Sequence, residues 1–218
     1  MNEPSARPTR RQRIVLLSAI LAVELAALAC FVWPLAGAKL RAGPDRLNTA
    51  GPSARPANWA RPMAEPGLRN LFQVNAGLYR GAPPTAEGAR RLKEIGVRTV
   101  VNLEYFHSDR DALAGTGLNY VHIRSSPLNP EKEDVVAFLK VIADANLAPV
   151  YVHCMHGSDR TGTMCAVYRI AVEGWTKQQA IDEMVHGGYG FHPEWQNLLD
   201  FIDGLDVAAM KKQAGMTR

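Results

Sequence analysis

The sequence predicts an α/β fold in which a mostly parallel central sheet is flanked by helices and preceded by a single transmembrane helix. Three observations lead there. Strand-like and helix-like segments alternate from about residue 67 to residue 204. The apolar run Pro149-Val150-Tyr151-Val152 ends at Cys154 and passes through a glycine-punctuated loop into a helical pattern, as a buried central strand and its crossover would. Residues 14–35 are almost continuously apolar.

Residues 1–13 form a basic tail carrying Arg7, Arg10, Arg11 and Arg13. The 22 residues Ile14 to Leu35 would rise about 33 Å as a helix, enough to cross a hydrocarbon layer of about 30 Å. Glu24 lies near the middle of this stretch, where a carboxylate is expensive unless protonated or paired with another helix. A cleaved secretory signal is the alternative, because the basic start and Ala36-Gly37-Ala38 before Lys39 fit one loosely. The arginines in front of the span orient it with the N-terminus inside and the folded domain on the extracytoplasmic side, although Lys39, Arg41 and Arg46 partly balance them. Residues 36–66, rich in Pro and Gly, read as a linker from which Trp59 and Met63 could dock on the domain.

The folded domain is expected over 67–218. Leu71–Val74 and Leu78–Arg80 read as short edge strands around Asn75-Ala76-Gly77. Thr85 precedes a helix that Gly96 ends, and Arg98–Leu103 and Leu118–Ile123 read as strands on either side of the polar segment Glu104–Arg110. Asn129-Pro130-Glu131 opens a helix through Val141. Beyond the central strand and its helix, Thr176 starts a helical pattern to Val185, residues 186–193 form a structured turn, and Glu194–Ile202 resumes helical spacing.

The net charge of +4 is unevenly spread. Residues 1–66 hold nine Lys/Arg against four Asp/Glu, whereas 67–218 hold sixteen against seventeen. The domain is thus near neutral, which argues against a nucleic-acid surface.

The chemistry concentrates in the loop Cys154-Met155-His156-Gly157-Ser158-Asp159-Arg160. Its length lets the backbone amides of Met155 to Arg160 wrap one small anion, and Thr161 could cap the following helix so that the helix N-terminus also faces that anion. A thiolate held by such amides and an arginine is a nucleophile suited to a phosphate ester, and the same donors suit the oxygens of the transferring phosphoryl group. Zinc is the competing chemistry for His153, Cys154, His156 and Cys165. Adjacent residues at a strand end point apart and no Cys-x2-Cys pair exists, so neither a metal nor a cofactor is expected. Cys165, in an apolar helical pattern, reads as a core thiol.

The segment HCMHGSDRTG resembles the phosphate-binding loop of the cysteine-dependent protein tyrosine and dual-specificity phosphatase superfamily, in its compact bacterial or atypical branch. The wider resemblance, from about 67 to 204, includes GLYRGAPPTAEGARRLKEIGVRTVVNLE and GGYGFHPEWQNLLDFI. It implies a tyrosine-phosphatase-like fold with Cys154 as nucleophile, Arg160 as bidentate phosphate clamp, His153 before the nucleophile and Thr161 assisting the thiolate. Residues 155–160 would cradle the phosphate, and Gln196 could orient hydrolytic water. Relatives commonly carry an acid about 30 residues before the cysteine, where His122–Asn129 here has no carboxylate. Asp159 therefore becomes a candidate proton donor, or else a brace for the loop, with Asp109, Asp111, Glu131, Glu133 and Asp134 as the other candidates. His186 and His192 read as hydrogen-bonded structural or surface histidines. The expected partner is a phosphorylated protein or a phospholipid head group. Phosphomonoester hydrolysis through a phosphocysteine, on phosphoproteins, is the implied activity; a phosphoinositide or inositol-phosphate phosphatase and a catalytically silent membrane-tethered phosphate-binding module are the alternatives, and the oligomeric state is left open.

Overall fold

In the computed structural model, which describes residues 55–216, six strands form one sheet: β1 (Arg61–Pro62), β2 (Phe72–Asn75), β3 (Leu78–Gly81), β4 (Thr99–Asn102), β5 (Asn119–His122) and β6 (Val150–His153). Their order is β1-β2-β3-β6-β4-β5. β3, β6, β4 and β5 run parallel, and β1 and β2 add an antiparallel edge. The α/β class and the mostly parallel sheet expected from the sequence are what the structure shows.

β6 lies between β3 and β4, and all four of its residues are buried, as a strand covered on both faces requires. Alternation divides them. Val150 and Val152 join a core that includes Val101, Phe138 and Val167, whereas Tyr151 joins the opposite core with Tyr79, Leu92 and Val100. His153 pairs in register with Gly81 on one side and Asn102 on the other, so the chain leaves β3, β4 and β6 at one common edge. In a parallel sheet that carboxyl edge is where a site assembles.

The helices are α1 (Ala86–Glu94), α2 (Arg110–Leu113), α3 (Lys132–Ala143), α4 (Asp159–Glu173), α5 (Lys177–His186), α6 (Gln196–Gly204) and α7 (Val207–Gln213), with a 3-10 turn at Pro193–Trp195. Thr85 caps α1 by accepting from Gly88 N, and Thr176 forms a capping box with Gln179 at α5. Met164, Cys165 and Val167 of α4 join the core of Val150 and Val152, while Ala166 meets Ala180, Met184, Leu198 and Ile202 of α5 and α6.

Several expectations need correction. Thr161 does not cap α4: Ser158 holds that position and Thr161 lies within the first turn, fully buried. β3 is an interior strand, because the hairpin to β2 and the short β1 extend the sheet beyond it. The folded unit also begins before residue 67, since Ala60 is buried, β1 pairs with β2, and Met63 packs on the core around Leu92. α3 starts at Lys132 with Glu131 at its N-cap, two residues later than the proline suggested. α2 and α7 were not expected. The span at 14–35 and the linker up to residue 54 lie outside the described residues, and among those described no helix is long and apolar enough to cross a membrane.

Candidate active site

The loop from Cys154 to Arg160 leaves the carboxyl end of β6 and enters α4. Among the described residues, no protein acceptor is found for the amides of Met155 through Thr161, whereas Gly162 N already donates to Ser158 O. A run of unpaired amides next to a helix start is an anion-binding concavity. Gly157 makes the tight path feasible. Its φ is +74°, and a Cβ there would stand 2.4 Å from the Gly81 carbonyl, so the loop rests directly on the backbone at the end of β3.

Buried polar groups hold this loop from behind. Arg80, only 2% exposed, donates from Nη2 to Gly157 O (2.8 Å) and Ser158 O (3.3 Å), and its guanidinium stacks 3.6 Å from the Tyr189 ring centroid. Ser158 Oγ donates to Tyr189 O (2.7 Å). Asn70 Nδ2 donates to both His156 O and Tyr189 O, each at 2.9 Å. These bonds clamp the loop to the 187–193 turn.

Cys154 is 2% exposed, while Met155 and His156 are open to solvent. Arg160 Nη1 donates to Leu103 O (3.1 Å) and Ser125 O (3.2 Å). Its Nε and Nη2 have no protein acceptor among the described residues, so one edge of the fork is fixed and the rest remains for a ligand. The Thr161 hydroxyl is buried without a protein partner. Cys165 lies in the core, where burial pushes its thiol up to about 11.

The carboxylates sort clearly. Asp159 Oδ1 accepts from His192 N (3.0 Å) and Oδ2 from His192 Nδ1 (2.8 Å). Asp109 is buried, and its Oδ2 accepts from His153 Nε2 (2.7 Å), which assigns that ring's proton to Nε2. Asp111, Glu131 and Glu133 are exposed, and Glu131 lines one depression with Ser125 and Arg160. Asp134, in the first turn of α3, is half-buried. Burial holds its carboxyl above the ordinary carboxylate range, offset in part by the Ser125 hydroxyl. Gln196 begins α6 as an exposed residue bonded to Asp200 (3.3 Å).

Sequence reasoning missed Arg80, Asn70 and the two histidine–carboxylate pairs. An arginine on the same strand face as Leu78 in Leu78-Tyr79-Arg80-Gly81 was the one available signal, since a buried charge on a core face needs a structural task.

Comparisons with known proteins agree with this architecture. The dual specificity protein phosphatase TpbA of Pseudomonas aeruginosa is 35% identical over 179 residues, 80% of this chain and 79% of that protein. A crystal structure of TpbA from P. aeruginosa, with serine replacing a cysteine and in complex with phosphotyrosine, superposes with a TM-score of 0.66 at 30% identity, covering 75% of this chain and 99% of that one. The inositol diphosphatase DSP3 of Arabidopsis thaliana is 25% identical over 155 residues, 66% of this chain and 73% of that protein. Residues 57–190 match the family model described as PTP-NADK, DSP-PTPase phosphatase fused to NAD+ kinase, and the chain belongs to this DSP-PTPase phosphatase family.

Proposed function

We propose that this protein is a cysteine-dependent phosphatase whose substrates are phosphorylated proteins, phosphotyrosine foremost, and that it works through a phosphocysteine intermediate. The observation carrying this reading is the unpaired-amide loop between Cys154 and Arg160, with Arg160 anchored along one edge only. The complex of the P. aeruginosa relative with phosphotyrosine supports the substrate class.

In this mechanism the Cys154 thiolate attacks phosphorus, an S–P bond forms, and the ester P–O bond breaks as its oxygen takes a proton. Water then attacks phosphorus, the S–P bond breaks, and inorganic phosphate leaves with the thiolate restored. The amides of Met155 to Thr161 and the open edge of Arg160 stabilise the equatorial oxygens. The Thr161 hydroxyl, buried in the first turn of α4 without a protein partner, is proposed to assist the thiolate, a role supported by the resemblance to the phosphatase loop. Asp159, with both oxygens bonded by His192, acts as a brace, and Asp134 is the proton donor proposed in its place, a half-buried carboxyl facing the hydroxyl of Ser125, whose carbonyl holds Arg160.

The segment 14–35 is proposed to anchor the chain in a membrane with the phosphatase domain on the extracytoplasmic side. Its apolar length and the preceding arginines support this.

Phosphate release by the full-length protein tests the activity across phosphotyrosine, phosphoserine and phosphothreonine peptides and phosphoinositides in mixed micelles. Highest kcat/KM on phosphotyrosine peptides is expected. Preference for the phosphoinositides would overturn the protein-substrate reading in favour of the lipid one, and no turnover on any member would leave a phosphate-binding module.

A further inference from the structure

We infer that His156, Asp159 and His192 form a binding site for a divalent borderline transition-metal ion of the zinc(II) class, on the rim of the phosphate-binding loop. Ligand atoms of the three side chains lie within 4.8 Å of one another, although 33 residues separate Asp159 from His192. The sequence offers ligand-type atoms at His153, Cys154, His156 and Cys165 and leads to no expectation of a metal. Of these the fold keeps His156 in the present cluster, turning His153 inward to Asp109 and burying Cys165 in the core.

Two imidazoles and one carboxylate suit zinc, cobalt or nickel rather than calcium or magnesium, which prefer all-oxygen shells. Ligands about 2.0–2.1 Å from a tetrahedral zinc ion stand roughly 3.3–3.4 Å apart. His192 Nδ1 and Asp159 Oδ2 are already 2.8 Å apart, sharing one proton. An ion replaces that proton, which for a neutral ring moves to Nε2, and the pair opens by about half an ångström. His156 then closes the third position. Its side chain is exposed, neither of its ring nitrogens has a hydrogen-bond partner among the described residues, and its ring lies edge-on to His192 with centroids 5.4 Å apart.

The frame around these ligands is fixed. Asn70 bonds the backbone of His156 and of the turn carrying His192, and Ser158 bonds the same turn, so the two histidines are held together before any ion arrives. Solvent-facing positions remain open for water or an anionic ligand. The site shares His156 and Asp159 with the phosphate-binding loop, and its presence does not depend on which substrate the phosphatase takes.

The test is titration calorimetry of zinc(II) into the full-length Cys154→Ser protein, which removes the reactive thiolate as a competing ligand. One ion per chain is expected. His192→Asn and His156→Asn, each in the Cys154→Ser background, should weaken binding at least about 10-fold; His156→Asn alters an exposed side chain, so its result stands even where the His192 variant folds poorly. Cobalt(II) bound to the otherwise unaltered protein should show ligand-field bands without thiolate charge-transfer absorption. Absence of zinc binding in Cys154→Ser, affinity unchanged by His156→Asn, or a thiolate charge-transfer band would each overturn the site.

Discussion

The Asp159 carboxylate accepts two hydrogen bonds from one residue, His192, at 3.0 Å from its amide and 2.8 Å from its Nδ1. That pairing ties the phosphate-binding loop to the turn after α5 and occupies both oxygens that a proton donor would aim at a leaving group. Asp159→Asn should therefore lower kcat/KM by similar factors, up to about 10²-fold, on an aryl phosphate with a good leaving group and on an alkyl phosphate with a poor one. A loss confined to the alkyl phosphate would instead make Asp159 the acid.

Cys154→Ser should abolish turnover and leave inorganic phosphate or phosphotyrosine binding in place. The substitution removes the sulfur nucleophile without touching the amides of Met155 to Thr161 or the carbonyls that hold Arg160. Calorimetry with phosphotyrosine alongside a turnover assay checks both halves. Appreciable hydrolysis by the serine variant rules out the covalent route.

Arg80 makes no contact with the loop's ligand-facing amides, yet two carbonyls of the loop depend on it. Arg80→Met keeps much of the volume over Tyr189 and deletes the donors. Leaving Gly157 O without them, while Ser158 O keeps the Gly162 amide, should cost about 1–3 kcal/mol in urea unfolding and lower kcat more than it raises KM, because the distorted amides matter most in the transition state. An unchanged kcat in a destabilised protein would restrict Arg80 to stability alone.

Local patterns made much of this legible. Pro149 to Val152 reads as a buried strand, Thr85 and Thr176 announce helix starts, and the Cys154 to Arg160 spacing marks the loop. What stayed hidden rests on partners far apart in the chain: Arg80 with Gly157, Asp109 with His153, and Asp159 with His192. Periodicity carries burial and not pairing, so a buried carboxylate looks like any loop acid until its partner is known. β1 escaped notice because proline depletes strand character, yet at an edge Pro62 sacrifices no interior ladder bond.

For the proposed membrane span, full-length protein should remain with the membrane pellet after alkaline carbonate washing. Protection of the domain from protease added to spheroplasts, with any outer envelope removed, distinguishes the two orientations, because an extracytoplasmic domain is digested where a cytoplasmic one is not. Recovery of the intact chain in the carbonate supernatant excludes an integral anchor.

Asp134 provides the pH test. Burial raises its carboxyl above the ordinary value, so the protonated form persists to higher pH than for a free aspartate and is lost as pH passes through that raised value. A donor of this kind produces a basic limb in kcat/KM that is steep for an alkyl phosphate and shallow for an aryl phosphate whose oxygen leaves unprotonated. Asp134→Asn should cost the alkyl substrate roughly 10²–10⁴-fold and spare the aryl one. The same shift has a stability sign. The folded chain holds this proton more tightly than the unfolded chain, so the residue's contribution is fully present below the unfolded pKa and declines as pH rises through the window between the two values. The variant should therefore gain in Tm relative to the parent above that window and lose the advantage below it. If the Tm difference moves as described while both substrates keep their rates, Asp134 is a buried acid without a catalytic task, and Glu131, which shares a depression with Arg160, becomes the donor to test.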